Sequence, residues 1–155
     1  TGGLPLAKRS PQRRAYRLME LARWSGYLGM PINLEPRFFP VDETLAARMV
    51  IGAVKEGYDV GGLTTAIMRA VWELDANIAD RCTLAQLAAG AGFDGDGLLE
   101  SANAPEVAEI HERNTEEALA EGVFGVPTYV LDGELFWGQD RLDFLDQALA
   151  EFDTP

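Results

Sequence analysis

Two short segments near the end of the chain carry groups that could bind a ligand. Val126-Pro127 precedes the β-prone run 128–131, and a cis X-Pro bond there would turn the preceding N–H and C=O outward toward an extended peptide ligand. An ordinary trans proline at the start of an edge strand is the alternative. Gln139 and Asp140 precede the last predicted helix, where free N–H groups favour a carboxylate. The Asp140 side chain could accept an ammonium group, cap the helix, or do both.

Basic residues are concentrated at the other end of the chain. The net charge is -12, yet the first 23 residues carry +5, because six basic residues lie there and Glu20 is the only acid. The basic residues are Lys8, Arg9, Arg13, Arg14, Arg17 and Arg23. This asymmetry indicates either a local anion site or a solvated basic face. The acidic total argues against nucleic acid as a partner.

The remaining reactive residue types indicate little chemistry. The single cysteine, Cys82, excludes an internal disulfide, a C-x-x-C pair and a cysteine-rich zinc site, and we expect it to be a small buried residue. A lowered thiol pKa near a helix start is the alternative. The only histidine, His111, is predicted to lie on a helix surface, and no metal site is expected. No segment approaches the ~18 uncharged apolar residues of a membrane span, so we predict a soluble, cytoplasmic protein without a membrane partner.

Apolar residues at helical spacing predict six helices before residue 123. The first covers residues 11–28, with Ser10-Pro11 as cap and first-turn proline and Gly29 as its end. The proline-rich segment 31–40 is predicted to be an irregular connection that wraps over the body of the protein. Five further helices are predicted. The second is capped by Asp42 and ends at Gly57, and the third begins at Asp59. The fourth has a Thr83–Gln86 capping box, and the last two cover Asp94–Ala102 and Pro105–Gly122.

The pattern changes after Gly122. Residues 128–131 and 134–137 are β-prone runs joined by Asp132-Gly133, a pair typical of a type I′ hairpin, and a final helix is predicted over 140–151. An isolated hairpin is marginal in water, so we expect further strands before Thr1 and take Thr1 to be an internal point of a longer protein. The prediction is a helical domain over 11–121, the second half of a small sheet domain over 122–152, and a linker over 1–10.

Three segments resemble a known family. They are 124–130 (Phe-Gly-Val-Pro-Thr-Tyr-Val), 136–142 (Phe-Trp-Gly-Gln-Asp-Arg-Leu) and 10–16 (Ser-Pro-Gln-Arg-Arg-Ala-Tyr). They resemble the 2-hydroxychromene-2-carboxylate isomerase and kappa-class glutathione transferase family, in the DsbA-like branch of the thioredoxin superfamily. The implied fold is α/β, a thioredoxin-like domain with a large inserted helical domain, here mostly α because the N-terminal strands are missing. Residues 122–152 would be its C-terminal half, with a cis Val126–Pro127 bond.

The resemblance also implies a cofactor, glutathione, and residues that bind it. Val126, before Pro127, would pair with the cysteinyl backbone of glutathione, while Gln139 and Asp140 would hold its γ-glutamyl end. Arg13 would meet either the glycyl carboxylate of glutathione or the acidic substrate, with the neighbouring basic residues Lys8 and Arg14 as competitors for this role. Trp137 and Tyr129 are expected to line the pocket of an aromatic carboxylate substrate. The alternative is that both belong to the core. A homodimer is also implied.

The catalytic serine of such relatives lies in a strand–turn–helix segment that has no counterpart here, so no catalytic residue is expected within this chain. Ser10, Ser25 and Ser101 lie in other contexts. The implied function is a glutathione-dependent isomerase of aromatic compound catabolism, acting by reversible thiolate addition to a conjugated double bond. A DsbA-like thiol-disulfide oxidoreductase and a non-catalytic scaffold of the same fold are the alternatives.

Overall fold

The computed structural model describes residues 4–152, apart from the side chain of the last of these. The chain divides into two units, a helical unit (Arg9–Glu112) and a C-terminal unit that includes 113–152 together with 4–8. The division falls within a helix, upstream of the change of pattern at residue 122. The described chain is mostly helical and contains one two-stranded sheet, in agreement with the predicted composition.

The helical unit begins with α1 (Pro11–Leu28), whose ends follow the sequence signals. The Ser10 hydroxyl accepts a hydrogen bond from the Arg13 N–H (3.3 Å), and Pro11 occupies the first helical position. Gly29 ends the helix at a φ of 63°, a left-handed conformation that glycine adopts without the steric cost of a Cβ. Both predicted ends of this helix are confirmed.

Four further helices surround the core of this unit: α2 (Thr44–Lys55), α3 (Gly61–Trp72), α4 (Arg81–Gly90) and α5 (Gly95–Ser101). Their apolar stripes meet in one cluster, in which Met49, Leu63 and Leu84 are fully buried. Burial of such side chains contributes roughly 1.5–3 kcal/mol each. The cluster therefore stabilises the unit through packing between helices.

Three predicted helix starts need correction. The Thr83–Gln86 capping box is wrong, because Asp80 caps α4 and accepts hydrogen bonds from both the N–H and the hydroxyl of Thr83. Asp42, expected to cap α2, and Asp59, expected to begin α3, each lie two residues before the helix. Each carboxylate accepts a hydrogen bond from the N–H two residues ahead. An aspartate can accept hydrogen bonds from free N–H groups whether it lies one or two residues before a helix. Sequence alone therefore does not fix the first residue of the helix.

The connection between α1 and α2 packs on the end of α3, as expected for segment 31–40. The Asn33 N–H donates to the Trp72 carbonyl (2.5 Å), and the Arg37 N–H donates to the Asp75 carboxylate (2.6 Å). The Phe39 ring lies 4.6 Å from the Trp72 ring, between centroids. These contacts fix an irregular segment whose sequence shows no periodicity.

The sixth helix, α6 (Pro105–Ala120), leads to the hairpin of β1 (Thr128–Leu131) and β2 (Glu134–Trp137). The strands are antiparallel, in a register that pairs Thr128 with Trp137 and Tyr129 with Phe136. Asp132 and Gly133 both have positive φ (48° and 81°), as a type I′ turn requires. A 3₁₀ turn (Gln139–Arg141) leads into α7 (Leu142–Phe152), which contacts both strands.

No helix in the described part of the chain is long and apolar enough to span a bilayer.

Candidate functional site

The backbone before β1 is open to solvent at Val126. The Val126–Pro127 bond is cis, the geometry that the resemblance implies, and Val126 is 89% exposed. Within the described residues, no hydrogen bond uses its N–H or C=O. The Pro127 carbonyl, in contrast, accepts a hydrogen bond from the Gly138 N–H (2.9 Å), and the Thr128 hydroxyl donates to the Gly125 carbonyl (2.6 Å). Val126 therefore presents free backbone groups on a segment whose neighbouring residues, Gly125 and Pro127, are both held by hydrogen bonds.

Trp137 holds the loop that precedes Val126. Its ring makes an edge contact with Phe124, with centroids 4.8 Å apart. The backbone of Gly125 lies so close to this ring that a Cβ at residue 125 would be 2.6 Å from the indole Nε1. Glycine is required here by this close approach, and Trp137 thereby positions the segment 124–126.

Trp137 and Tyr129, both predicted to line a substrate pocket, do not lie together. Because Trp137 is opposite Thr128 and Tyr129 is opposite Phe136, the two aromatic side chains point to opposite faces of the hairpin. The alternative that both belong to the core is wrong, because Trp137 and Tyr129 are exposed while Phe136 is buried. Only Trp137 lies beside the Val126 segment.

The turn after β2 brings Gln139 and Asp140 next to the same segment, because the hydrogen bond from Gly138 to Pro127 joins the two. Gly138 has a φ of 111°, and a Cβ there would lie 2.5 Å from an Asp140 carboxylate oxygen. The capping alternative for Asp140 is not realised, since α7 begins at Leu142 and the Asp140 carboxylate instead pairs with the Arg141 guanidinium (2.9 Å). This pair is half-exposed, and Gln139 is exposed.

Arg13 lies in the other unit, where it lines an open cavity of about 430 Å³ with Arg9, Gln12, Tyr16 and Arg17. The competing residues Lys8 and Arg14 are exposed and do not line this cavity. The Arg17 guanidinium carbon is 5.7 Å from the ring centres of both Phe39 and Trp72. Partial burial, followed by the charge of Arg9, lowers the pKa of Arg17 below the ordinary arginine value.

Other residues with reactive side chains have ordinary surroundings. Cys82 is exposed at the start of α4, so the expected buried role is wrong; the second position of this helix faces away from the core. His111 is half-buried within α6. The described residues contain no group of three or more metal-ligating side chains.

The serines at three positions of interest have structural roles. Ser10 caps α1, the Ser25 hydroxyl donates to the Met30 carbonyl (2.6 Å), and Ser101 packs against Gly52, where a Cβ would be 2.6 Å from its hydroxyl oxygen. None of the three lies in a turn between a strand and a helix. That these serines do not inherit the catalytic role stays a prediction.

Sequence reasoning missed two features. The sequence grouped Arg9 and Arg17 with the other N-terminal basic residues but did not predict that they share a cavity with Arg13. The signal that could have found this is the spacing of four residues from Arg9 to Arg13 and from Arg13 to Arg17. A second cavity of about 410 Å³ in the helical unit has an aromatic pair on its wall, Tyr58 and Phe93, with centroids 5.6 Å apart. It joins residues that are distant in the sequence, so no local pattern indicates it.

Known proteins similar in sequence to this chain include proteins named as isomerases. A curated relative from Sphingobium xenophagum, named 2-hydroxychromene-2-carboxylate isomerase, is 28% identical over 86% of this chain and 67% of its own length. A relative of the same name from Pseudomonas putida is 27% identical over 87% of this chain and 64% of its length. The chain thus spans about two thirds of these relatives.

A solved 2-hydroxychromene-2-carboxylate isomerase has the same fold as this chain. The two superpose with a TM-score of 0.74 at 24% identity, over 97% of this chain and 72% of that one. The family model described as the DSBA-like thioredoxin domain matches residues 1–150. The chain therefore belongs to the DSBA-like thioredoxin domain family and, within it, is similar to 2-hydroxychromene-2-carboxylate isomerases.

Proposed function

We propose that this chain is part of a glutathione-dependent isomerase that acts on a hydroxychromene carboxylate or a related aromatic acid. The names of the relatives support isomerisation, and the observation that carries the glutathione assignment is the free, exposed backbone of Val126 beside Trp137. The proposal includes a homodimer, which sedimentation of the protein would test.

The backbone at Val126 fits a peptide ligand. An extended peptide adds to an exposed strand edge through main-chain hydrogen bonds, and such bonds need an unpaired N–H and C=O on the protein. Val126 offers both. Because Thr128 and Gly138 fix the neighbouring residues, little ordering is needed when the ligand binds, which favours affinity.

The 3₁₀ turn fits the charged end of the same ligand. The γ-glutamyl group has an ammonium and a carboxylate; the half-exposed Asp140 carboxylate suits the ammonium, and the exposed Gln139 side chain can donate to the carboxylate. Arg141 already pairs with Asp140, so a bound ligand could use both charges of this pair. The charge of the Asp140 carboxylate is thus opposite to that of the ammonium group it would bind.

Glutathione, when bound, would supply a thiolate able to add reversibly to a conjugated double bond. The residues of this chain would bind and orient it: Val126 through its backbone, Asp140 and Gln139 through their side chains, and Trp137 by holding the loop. Trp137 would also present an aromatic surface to an aromatic substrate. The proposal assigns no catalytic proton transfer to a residue of this chain.

The family match supports a second candidate, a DsbA-like thiol-disulfide oxidoreductase. That activity uses a pair of cysteines, and these 155 residues contain only Cys82. A disulfide-reduction assay on the protein that contains this chain separates the candidates. Activity there, without glutathione-dependent isomerisation, favours the oxidoreductase; absence of both activities and of glutathione binding favours a scaffold.

The test compares two aspartate variants of that protein by calorimetric titration with glutathione. Asp140→Asn removes a charge-assisted contact worth roughly 1.5–3 kcal/mol, so affinity should fall about tenfold to hundredfold. Asp143→Asn, three residues on and also exposed, makes the same charge change and should leave affinity unchanged. Equal affinities for Asp140→Asn and wild type would contradict the assignment.

A further inference from the structure

The exposed N–H of Val126 belongs to the same peptide unit as the carbonyl of Gly125. The Gly125–Val126 bond is trans. A trans peptide unit is planar, and its C=O and N–H point in opposite directions. Any contact that fixes the direction of the Gly125 carbonyl therefore also fixes the direction of the Val126 N–H.

The Thr128 hydroxyl is the group that fixes this carbonyl. It donates to the Gly125 oxygen over 2.6 Å, in a partly buried position. Thr128 is the first residue of β1 and lies opposite Trp137 in the hairpin, so its backbone is anchored. Because threonine is branched at Cβ, few rotamers are open to its side chain. The hydroxyl is thus a donor of fixed position, and it ties the peptide unit before Val126 to the hairpin.

The contact with Trp137 does not replace this hydrogen bond. The indole ring lies so close to Gly125 that only a residue without a Cβ fits there. This contact limits where the Cα of Gly125 lies, but it does not limit rotation of the peptide unit that follows. Glycine is also the residue with the fewest restrictions on that rotation. The close approach of the ring therefore creates a freedom that the Thr128 hydroxyl removes.

We propose that Thr128 is a positioning residue: through the Gly125 carbonyl, its hydroxyl aims the Val126 N–H at the backbone of the bound ligand. The inference rests on the proposed function for the identity of that ligand, glutathione. Without the hydroxyl, the peptide unit would sample several directions, and the ligand would have to order it on binding. The role requires no contact between Thr128 and glutathione.

The first experiment is calorimetric titration of the protein that contains this chain with glutathione. Thr128→Val replaces the hydroxyl with a methyl group and keeps a β-branched residue, which strands favour. Loss of one hydrogen bond should lower glutathione affinity about threefold to tenfold. Thr128→Ser keeps the hydroxyl and should recover most of that loss. Thr65→Val makes the same change at an exposed position of α3 and should leave affinity unchanged.

Nuclear magnetic resonance of the same variants without ligand separates positioning from general support of the hairpin. In Thr128→Val, the Gly125 carbonyl resonance should shift, and relaxation of the Val126 amide should show increased motion. The Gly138 amide, which donates to the Pro127 carbonyl, should stay as in wild type. Thr128→Ser should resemble wild type at all three residues. An equal disturbance of Gly138 and Val126 would overturn the inference, because it would indicate a loosened hairpin.

The titration distinguishes failure of this inference from failure of the proposed function. If wild type binds glutathione and Thr128→Val binds it equally well, the positioning role is overturned while the glutathione assignment stands. Equal losses of affinity in Thr128→Ser and Thr128→Val would also overturn the role, since the hydroxyl would not be the cause. No glutathione binding by wild type would overturn both the role and the proposed function.

Discussion

The helical unit and the C-terminal unit distribute their apolar residues in opposite ways. In the helical unit, helices α2 to α5 enclose a continuous buried cluster. Among the described side chains after residue 112, Phe136 is the only buried apolar one, while Val126, Trp137 and Phe144 are more than half exposed. The helical unit therefore has the core that stabilises a fold, and the C-terminal unit presents apolar and backbone groups that a ligand or a further segment can cover.

The largest difference should appear when leucines are truncated in the two units. Leu84→Ala removes a fully buried side chain of the helical unit, and we expect the free energy of unfolding to fall by about 2–5 kcal/mol. Leu149→Ala, in α7, truncates a side chain that is 43% exposed and should cost about 0.5 kcal/mol or less. Urea unfolding followed by circular dichroism measures both. Similar losses of unfolding free energy for the two variants would contradict the difference between the units.

A smaller effect is expected where the C-terminal unit is closely packed. Gly125→Ala places a Cβ 2.6 Å from the Trp137 indole nitrogen, so the ring must move, at a cost of about 1–3 kcal/mol. The indole N–H resonance of Trp137 should shift with it. Gly26→Ala is the control: its new Cβ meets nothing within 4 Å and lies inside α1, so it should stabilise by about 0.5–1 kcal/mol. An unchanged Trp137 resonance in Gly125→Ala would remove its positioning role.

The smallest expected effect is a loss of stability of the helical unit at acidic pH. Hydrogen bonds from Thr83 hold the pKa of Asp80 below the ordinary carboxyl range, and those from Thr44 do the same for the pKa of Asp42. A carboxyl with a lowered pKa in the folded state stabilises the protein above its unfolded pKa, and this contribution is lost as pH falls through the folded pKa. Stability of the helical unit should thus decline below about pH 4. Asp80→Asn should flatten the decline slightly; an unaltered pH profile would argue against the contribution.

Local patterns predicted the helices and strands and their order. The spacing of apolar residues, the glycine that ends α1 (Gly29) and the hairpin turn at Asp132-Gly133 depend only on neighbouring residues. They did not distinguish Asp80 from Thr83 as the cap of α4, since either side chain can accept a hydrogen bond from the N–H two or three residues ahead of it. The hairpin register, by contrast, is sufficient to place Trp137 and Tyr129 on opposite faces once the strand pairing is known.

Contacts between distant segments account for the parts of the sites that could not be predicted. Arg17 meets Phe39 and Trp72, which are far from it in sequence, so no periodicity indicates that packing. Cys82 was expected in the core because cysteine is usually buried, but its exposure depends on which face of α4 meets the cluster. Residue type gives a preference, and the packing of the helices decides the outcome.

Backbone amide exchange with and without glutathione tests the central claim most directly, on the protein that contains this chain. If the exposed backbone of Val126 pairs with glutathione, exchange of its amide should slow markedly at saturating ligand, because a free N–H becomes hydrogen-bonded. The amide of Leu63, in the core of the helical unit, should change little and serves as the reference. Saturation by glutathione with no change at Val126 would contradict the assignment of the C-terminal unit as the glutathione-binding unit.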